Sequence, residues 1–203
     1  MTRLILLRHG ESVNNLYRLG TGQSDVALTD LGKKQAEQAA SYLATHELID
    51  HIYSSDLIRC VETARPTAEK LGLSIHTDKR LREVDLGDWA GMPIDERKTR
   101  TPEAYRLWKE DHAHMQYPNG EYYPDAYDRM VECVTEIAER HPDRTILIST
   151  HGGMIRAFEA FAMGYSREET NHVSGSCNAS IHIYEWNDGK ATLRTRELTD
   201  HLR

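Results

Sequence analysis

Two apolar segments of strand length, far apart in the chain, each end in a histidine followed by glycine. The first, Leu4 to Leu7, continues into Arg8-His9-Gly10, and the second, Ile146 to Thr150, continues into His151-Gly152-Gly153. In open α/β sheets, ligands bind beyond the carboxyl ends of the parallel strands. If both segments are parallel strands of one sheet, His9 and His151 emerge at the same edge. The pattern therefore favours a sheet in which these two distant segments run side by side.

Helical and strand patterns alternate along the rest of the chain. Thr29 or Asp30 is the predicted cap of a helix that reaches about Thr45, and Asp56 is the predicted cap of a helix that ends at Gly72. Further predicted elements are strands at 49–54 and 73–77, a helix at 123–140, a helix from 151 to 163, and a hairpin joining 179–186 to 191–195. The alternation predicts a three-layer α/β/α fold, with a mainly parallel mixed sheet and one antiparallel strand. We expect residues 1–203 to form one domain.

Two long segments do not follow this alternation. Residues 11–28 have the composition of a long loop, and loops of this length in compact domains are usually functional or disordered. Residues 92–122 are polar, with helical fragments around Glu103 to Glu110, and we predict a small lid-like excursion over the site. The tyrosines and tryptophans of the excursion suit either an apolar leaving group or a small core of its own, and we favour the second interpretation.

Net charge and cysteine content limit the classes of partner. At −7 the chain does not attract nucleic acid or an anionic membrane, so any bound anion depends on a local cluster of positive groups. The 3 cysteines are far apart and odd in number, which excludes a full disulfide framework. No apolar stretch approaches transmembrane length and no signal-peptide pattern precedes the first strand, so we expect a cytoplasmic protein. It would act as a monomer or homodimer.

The chain has 11 histidines, which makes metal binding a competing interpretation. His112 and His114 could hold a metal ion together only on extended chain, and the sequence contains no His-x-x-x-His pair or Cys/His cluster. We therefore expect no metal and no cofactor, and we expect most of the remaining histidines to lie on the surface.

A third predicted strand end adds polar groups to the same edge. It carries Ser54-Ser55, and Arg59 follows one helical turn later. Helix N-termini behind the edge favour bound anions, the forked arginine donor suits phosphate oxygens, and neutral histidine can attack phosphorus. Taken singly, His151 could be a capping residue and Arg59 a solvated charge. Their predicted coincidence with Arg8 and His9 at one edge makes both of these alternatives less favoured and indicates an anion site.

Five blocks of the sequence resemble, in order, those of the histidine phosphatase superfamily, the phosphoglycerate-mutase-like proteins. Together they span essentially the whole chain, and their combination is far more specific than a lone Arg-His-Gly. The blocks are Leu7-Arg8-His9-Gly10-Glu11-Ser12 with Asn15, Gly22-x-x-Asp25-x-x-Leu28-Thr29-x-x-Gly32, Ser54-Ser55-x-x-x-x-Arg59-x-x-x-Thr63-Ala64, Leu81-Arg82-Glu83-x-x-x-Gly87-x-Trp89-x-Gly91 and Thr150-His151-Gly152-Gly153-x-Ile155-Arg156.

The resemblance implies a role for each matching residue. His9 would be the nucleophile and would form a phosphohistidine that water then hydrolyses. Glu83 would protonate the leaving alcohol and then activate water. The groups that would grip the phosphoryl oxygens are Arg8, Arg59 and His151. The residues that would bind the substrate are Asn15, Thr21, Gly22, Gln23 and Gly152.

Three functions remain compatible with this resemblance. The broad-specificity phosphatase branch is favoured, because Glu83 lies in a Gly-x-Trp-x-Gly context and only 68 positions separate it from His151. The alternatives are a 2,3-bisphosphoglycerate-dependent phosphoglycerate mutase, which resembles the chain at Thr21-Gly22, and a non-catalytic phospho-ligand binding module. A metal-independent phosphatase acting on a small phosphorylated molecule is the function that we expect.

Two turns bear on the substrate of such a phosphatase. Gly22-Gln23-Ser24-Asp25 resembles the corresponding turn of the α-ribazole phosphatase and fructose-2,6-bisphosphatase branches. Broad phosphatases often carry Pro-x-Gly-Glu-Ser before the long helix, and this chain has tyrosine in place of the serine, at Tyr122. We expect the Tyr122 ring to narrow or roof the pocket.

Overall fold

A six-stranded mixed sheet forms the centre of the molecule. The computed structural model describes residues 1–203. The strands are β1 (Thr2–Arg8), β2 (His51–Ser54), β3 (Ile75–Thr77), β4 (Thr145–Thr150), β5 (Ile181–Asn187) and β6 (Lys190–Leu198). Their order is β3-β2-β4-β1-β5-β6, and only β5 runs against the other strands. The predicted mainly parallel sheet with one antiparallel strand is confirmed.

Helices cover both faces of the sheet. Both faces need this cover because successive apolar side chains of β1 point to opposite sides. The α-helices are α1 (Val13–Leu16), α2 (Asp30–His46), α3 (Ile58–Leu71), α4 (Arg97–Arg100), α5 (Pro102–Glu110), α6 (Tyr123–Arg140) and α7 (Gly152–Ala162). Ile5 and Leu7 point into the hydrophobic cluster beneath α2 and α3, whereas Leu4 and Leu6 point into the larger cluster beneath α6 and α7. The sheet is therefore the middle layer of three.

The predicted helix caps have different outcomes. Thr29 caps α2, because its hydroxyl accepts a hydrogen bond of 3.0 Å from the N–H of Gly32. The prediction that Asp56 caps the next helix is wrong, since α3 begins at Ile58 and its Ncap residue is Leu57. The Asp56 carboxylate instead accepts two hydrogen bonds of 2.6 Å from Arg82. This two-pronged, charge-assisted contact takes the oxygens that a cap would have used.

Several predicted boundaries shift by a few residues. The loop at 11–28 contains the short helix α1, capped by Ser12, and the strands predicted at 49–54 and 73–77 begin only at His51 and Ile75. The terminal hairpin is confirmed, with Asp188 and Gly189 both in the left-handed region at φ 47° and 76°. Two consecutive positive φ angles give the turn that matches the twist of paired strands.

Residues 92–122 leave the sheet and return to the point of departure. The N–H of Asp88 donates to the carbonyl of Pro118 at 2.9 Å, and the N–H of Glu121 donates to the carbonyl of Asp85 at 2.9 Å. At Gly87 a β-carbon would lie 2.1 Å from the Pro118 carbonyl oxygen, so only glycine fits there. We call residues 92–122 the excursion; α4 and α5 lie within it.

One buried histidine departs from the expectation that the remaining histidines lie on the surface. His182 is fully buried, with Nδ1 3.4 Å from the carboxylate of Glu159 and Nε2 3.2 Å from the hydroxyl of Ser180. Nε2 thus has a hydrogen-bond partner, whereas Nδ1 lies within ion-pair distance of Glu159 but makes no hydrogen bond. None of the helices combines the length and apolar character needed to cross a membrane.

Candidate active site

The carboxyl ends of β1 and β4 bring the two strand-end histidines together. These strands are parallel neighbours, and the N–H of His9 donates to the carbonyl of Thr150 at 3.0 Å. The ring centroids of His9 and His151 lie 5.2 Å apart. The two rings therefore lie at the same edge of the sheet, as the sequence predicts.

His9 is held with one ring nitrogen engaged and the other free. Its Nδ1 donates to the carbonyl oxygen of Gly10 at 2.7 Å, and because a carbonyl can only accept, the ring proton belongs to Nδ1. Burial, together with the positive charges of Arg59 and Arg8, lowers the pKa of His9 well below its ordinary value. The ring is therefore neutral, and its Nε2 carries an unshared electron pair.

Arg59 projects from the first turn of α3 and is anchored to the backbone. Its Nη1 donates to the carbonyl of Ser24 at 2.8 Å, and its Nη2 donates to the carbonyl of Gly22 at 2.7 Å. Gly22 has a left-handed backbone with φ 48°, which aims this turn at the arginine. The guanidinium is thus fixed in direction before any ligand binds.

Arg8 and Arg59 have no carboxylate within ion-pair distance, although both lie in a largely buried setting. Arg8 donates to the carbonyl of Ser176, and its Nε has no partner. Burial lowers the pKa of both guanidinium groups, since it disfavours charge; for Arg8 the negative charge of Glu83 acts in the opposite direction. Two cations that the protein itself leaves uncompensated make this edge an anion site.

His151 is fully buried and does not line the cavity at the sheet edge. Its Nδ1 accepts from Nη2 of Arg59 at 3.1 Å, and its Nε2 donates to the hydroxyl of Ser55 at 2.9 Å. Burial and the charge of Arg59 lower the pKa of His151, so the ring is neutral and can accept. In this arrangement His151 helps to orient Arg59 and does not itself face the cavity.

Glu83 faces the same cavity from the segment after β3. Its Oε1 accepts from the N–H of Val84 at 3.0 Å, and its Oε2 accepts from the N–H of Gly153 at 3.1 Å. A β-carbon at Gly153 would lie 2.4 Å from Oε1 of Glu83. The glycine in the first turn of α7 therefore gives the carboxylate its room.

The cavity has a volume of about 310 Å³, and most of the predicted residues line it. The predicted residues in its wall are Arg8, His9, Asn15, Thr21, Gly22, Arg59, Glu83 and Gly152. Gln23 lies outside the wall, where its amide donates to the carbonyl of Glu83 at 3.2 Å. Gln23 thus reaches the site only through the backbone of Glu83.

Asn15 presents its amide N–H₂ group to the cavity. Its Oδ1 accepts from the N–H of Ser12 at 3.1 Å and from the side chain of Asn178 at 3.2 Å, which leaves Nδ2 without a protein partner. Asn178 also donates to the carbonyls of His9 and Gly10. Sequence reasoning missed Asn178, which lies in an irregular segment without a strand or helix pattern.

The rest of the cavity wall is formed by residues that sequence reasoning did not select as site residues. They are Leu86, Arg97, Trp108, His112, Tyr117, Tyr123, Arg156 and Ser176, with Val84, Gly153 and Gly175. Arg156 follows Gly153 by three positions on α7, so the helical repeat could have placed it on the site-facing side. Arg97 has no such signal, because the excursion contains several other basic residues.

Tyr122 does not line the cavity, so the expectation that its ring narrows or roofs the pocket is wrong. Tyr122 is the Ncap residue of α6 and pairs with Gln116 through a β-bridge. Its neighbour Tyr123 enters the cavity wall, fully buried, and its hydroxyl donates to the carbonyl of Gly153 at 3.2 Å. A shift of one position at a helix start turns the side chain to a different side of the helix.

Trp89 and two aromatic residues of the excursion form a small cluster that also contributes to the cavity wall. Trp89 meets Trp108 and Tyr117 edge to face, with centroid distances of 5.9 and 5.6 Å. Trp108 and Tyr117 belong to the wall as well. No group of three or more His, Cys, Asp or Glu side chains is arranged to hold a metal ion.

Comparisons with known proteins point to one family. The model of the histidine phosphatase superfamily (branch 1) matches residues 4–199. Phosphoglycerate mutase-like protein 4 of Arabidopsis thaliana is 35% identical over 202 residues, with 98% of this chain and 86% of the relative covered. Phosphoserine phosphatase 1 of Hydrogenobacter thermophilus is 32% identical over 203 residues, with 100% of this chain and 95% of the relative covered.

A solved structure extends the likeness to three dimensions. The complex of mycobacterial glucosyl-3-phosphoglycerate phosphatase with VO3 superposes with a TM-score of 0.88 at 33% identity, covering 97% of this chain and 99% of that chain. The family match and these relatives extend over nearly the full sequence, including both strand ends that carry the site. The chain belongs to the histidine phosphatase superfamily.

Proposed function

We propose that this protein hydrolyses phosphomonoesters through a phosphohistidine intermediate on His9, without a metal ion. The observation that carries the proposal is the hydrogen bond from Nδ1 of His9 to the Gly10 carbonyl, which leaves a neutral Nε2 free beside Arg8 and Arg59. A nucleophile with an unshared pair next to two uncompensated guanidinium groups suits an attack on phosphorus.

In the first half of the reaction, Nε2 of His9 attacks phosphorus and the bond from phosphorus to the ester oxygen breaks. Glu83, in its protonated form, gives its proton to the departing oxygen, so that a neutral alcohol leaves. The positive charge that forms on the imidazole is shared with the Gly10 carbonyl through Nδ1–H. Arg8, Arg59 and the amide of Asn15 bind the equatorial oxygens, where negative charge is spread in the transition state.

In the second half, the Glu83 carboxylate takes a proton from water and the water oxygen attacks phosphorus. The bond from phosphorus to Nε2 breaks, its electron pair returns to His9, and inorganic phosphate leaves. Thr21, Gly22 and Gly152 supply the walls around the phosphoryl group. In this scheme His151 does not contact the substrate. It positions Arg59, because its Nδ1 accepts a hydrogen bond from Nη2 of Arg59.

A phosphoglycerate mutase would share the first half of this scheme and return the phosphoryl group to a substrate alcohol. The mutase-like name of the Arabidopsis relative keeps this alternative open. The phosphatase is favoured because relatives named as phosphatases match nearly the full chain. The substrate in either case is a small phosphorylated molecule.

Rapid-quench analysis with p-nitrophenyl phosphate tests the proposal. We expect a burst of p-nitrophenol and an acid-labile, alkali-stable phosphoryl group on the peptide that contains His9. The variant His9→Asn should give neither, and the matched control His46→Asn, on the exposed face of α2, should behave as wild type.

Two further arms make this test decisive. Turnover should be unchanged by EDTA; loss of activity that a divalent ion restores would contradict metal independence. A steady-state assay with phosphoglycerate and 2,3-bisphosphoglycerate should release phosphate faster than it isomerises the substrate. A phosphoenzyme on a residue other than His9, or none with retained turnover, would overturn the mechanism.

A further inference from the structure

A second pair of positive charges lies in the cavity beyond the strand ends. Arg97 of α4 and Arg156 of α7 both belong to the wall. Neither guanidinium has a carboxylate within 4.0 Å or a hydrogen bond to any protein group, and Nε of Arg97 is buried without a partner. The phosphoryl mechanism uses neither residue.

Arg97 is the more unusual of the two because it is buried. The side chain is 4% exposed, and its guanidinium lies 4.7 Å from the ring centre of Trp89 and 5.4 Å from that of Trp108. Contact with the indole faces offsets part of the cost of burying the charge, but a buried cation without a counter-ion remains costly. Burial accordingly lowers the pKa of Arg97. An anionic ligand would supply the missing counter-charge.

Arginines elsewhere in the molecule are not both buried and without a carboxylate partner. Those that are not exposed have carboxylate partners, for example Arg82 with Asp56. The arginines outside the cavity that lack such a partner are Arg65 and Arg140, and both are exposed to water. Lack of a partner away from solvent is therefore confined to the cavity, where it is shared by Arg8, Arg59, Arg97 and Arg156.

The charge balance of the cavity indicates what kind of anion is missing. Its wall holds four arginines and one carboxylate, Glu83. Burial and the nearby charge of Arg156 lower the pKa of His112 to about 3, so His112, like His9, is neutral. A bound phosphoryl group brings about two negative charges, so positive charge remains uncompensated whether Glu83 is protonated, as the first half of the reaction requires, or ionised. A carboxylate on the substrate would supply further negative charge.

Contacts within the wall link both arginines to Tyr117 and His112. The Trp89 ring, whose centre is 4.7 Å from the Arg97 guanidinium, meets Tyr117 edge to face at 5.6 Å, and the Tyr117 hydroxyl lies 3.2 Å from Nε2 of His112. His112 and Trp108 line an adjoining cavity together with Arg156, and the centre of the Trp108 ring is 5.4 Å from the Arg97 guanidinium. Nδ1 of His112 is buried without a partner and adds a further unused polar atom.

We propose that Arg97 and Arg156 bind a carboxylate on the alcohol part of the phosphomonoester, so that the preferred substrate is a small phosphorylated hydroxy acid. The guanidinium fork matches a carboxylate with two parallel hydrogen bonds. A cavity of about 310 Å³ is at the low end of the roughly 300–1,000 Å³ usual for ligand pockets, which favours a short molecule. This inference rests on the proposed phosphatase function.

The test compares ligands that differ only in the second anionic group. The probes are phosphoglycolate, phosphohydroxypropionate and phosphohydroxybutyrate, each paired with the alkyl phosphate in which a methyl group replaces the carboxylate. The bisphosphates of matching diols form a third series. Binding is measured by calorimetry on His9→Asn, which does not turn over, and kcat/KM is measured on the wild type.

We expect the best phosphorylated hydroxy acid to exceed its alkyl partner by about 10- to 100-fold in both measurements, as a hydrogen-bonded charge pair would give. In Arg97→Met, which keeps an unbranched chain between the two indole rings, that ratio should fall close to one. Arg156→Met should lower it as well, which keeps the test valid if Arg97→Met fails to fold. Arg100→Met, at an exposed position on the same helix, should leave the ratio unchanged.

Several results would overturn the subsite. They are equal binding of hydroxy acids and alkyl phosphates by His9→Asn, a uniform loss for both series in the arginine variants, and a stronger preference for bisphosphates than for carboxylates. Failure of the phosphatase proposal looks different: the wild type would not release p-nitrophenol, while calorimetry would still report the preference for the carboxylate.

Discussion

The two halves of the cavity hold their arginines in opposite ways. At the strand ends, Arg59 donates to the carbonyls of Gly22 and Ser24, so that hydrogen bonds fix its direction. In the excursion, Arg97 lies against Trp89 and Trp108 and makes no hydrogen bond to the protein. Stacking restrains the plane of a guanidinium but leaves its N–H groups available. The strand ends thus suit the phosphoryl group common to all esters, and the excursion suits the part that varies between them.

The largest effect on turnover is expected when a phosphoryl-binding arginine at the strand ends is replaced. In Arg59→Lys the fork is lost, and we expect kcat/KM to fall by about 10²- to 10³-fold, by a similar factor for alkyl phosphates and phosphorylated hydroxy acids. Steady-state kinetics on both series checks this. The matched control is Arg65→Lys, an exposed arginine on the same helix α3, which should keep wild-type rates.

If kcat/KM of Arg59→Lys fell for only one substrate series, the strand ends would not be binding the phosphoryl group common to both series. The same variant removes donors from the buried carbonyl of Gly22 and from Nδ1 of His151. Because a buried acceptor without its donor costs about 1–3 kcal/mol, the variant should also unfold at lower urea concentration.

A second prediction concerns the protonation of His9. Burial and the charges of Arg59 and Arg8 lower its pKa in the folded state, whereas the unfolded chain titrates near the ordinary value of about 6.5. Between those two values the unfolded state binds more protons, so the free energy of unfolding falls as the pH drops below about 6.5. Urea titrations at a series of pH values measure this slope.

The variant Arg59→Gln tests how much the charge of Arg59 lowers the pKa of His9. Removing the positive charge should raise the pKa of His9, which nitrogen NMR of the imidazole reports directly. A His9 ring that titrates at the ordinary value in the wild type would refute the proposed neutral nucleophile.

The smallest effect is expected at Tyr122, which lies beside the excursion side of the cavity but outside its wall. Tyr122→Ser should change kcat/KM by less than about twofold for either substrate series, as is usual for a position that meets no ligand. Tyr123→Phe is the informative neighbour, since it removes the hydroxyl that donates to the Gly153 carbonyl. A large change of specificity in Tyr122→Ser would mean that the cavity rearranges around bound substrate.

The two histidines of the strand-end side could be placed from sequence because each follows an apolar strand directly. His9 is adjacent to β1 in sequence, so the position of the strand fixes its position. The direction of a side chain is less accessible: His151 is at the predicted strand end, yet both ring nitrogens are bonded to Arg59 and Ser55. That outcome depends on which neighbour offers a partner, and the neighbours come from other segments.

The excursion side could not be predicted for a related reason. Arg97 is one of several basic residues in a polar segment, and only the packing of Trp89 against Trp108 selects it for the cavity. Asp56 shows the same limit on a smaller scale, because its local pattern predicts a cap while distant Arg82 takes its oxygens. Local patterns indicate elements, whereas side-chain partners are decided by tertiary contacts.

The closed base of the excursion has a consequence for the diversity of this family. Because Asp85 and Asp88 are bonded to Glu121 and Pro118, the segment enters and leaves the fold at one place. A loop whose ends already meet can gain or lose residues at little cost to the sheet, since the closure entropy grows only slowly with length. Insertions and deletions in the excursion could therefore change which ester is bound, while the residues at the strand ends that act on the phosphoryl group stay the same.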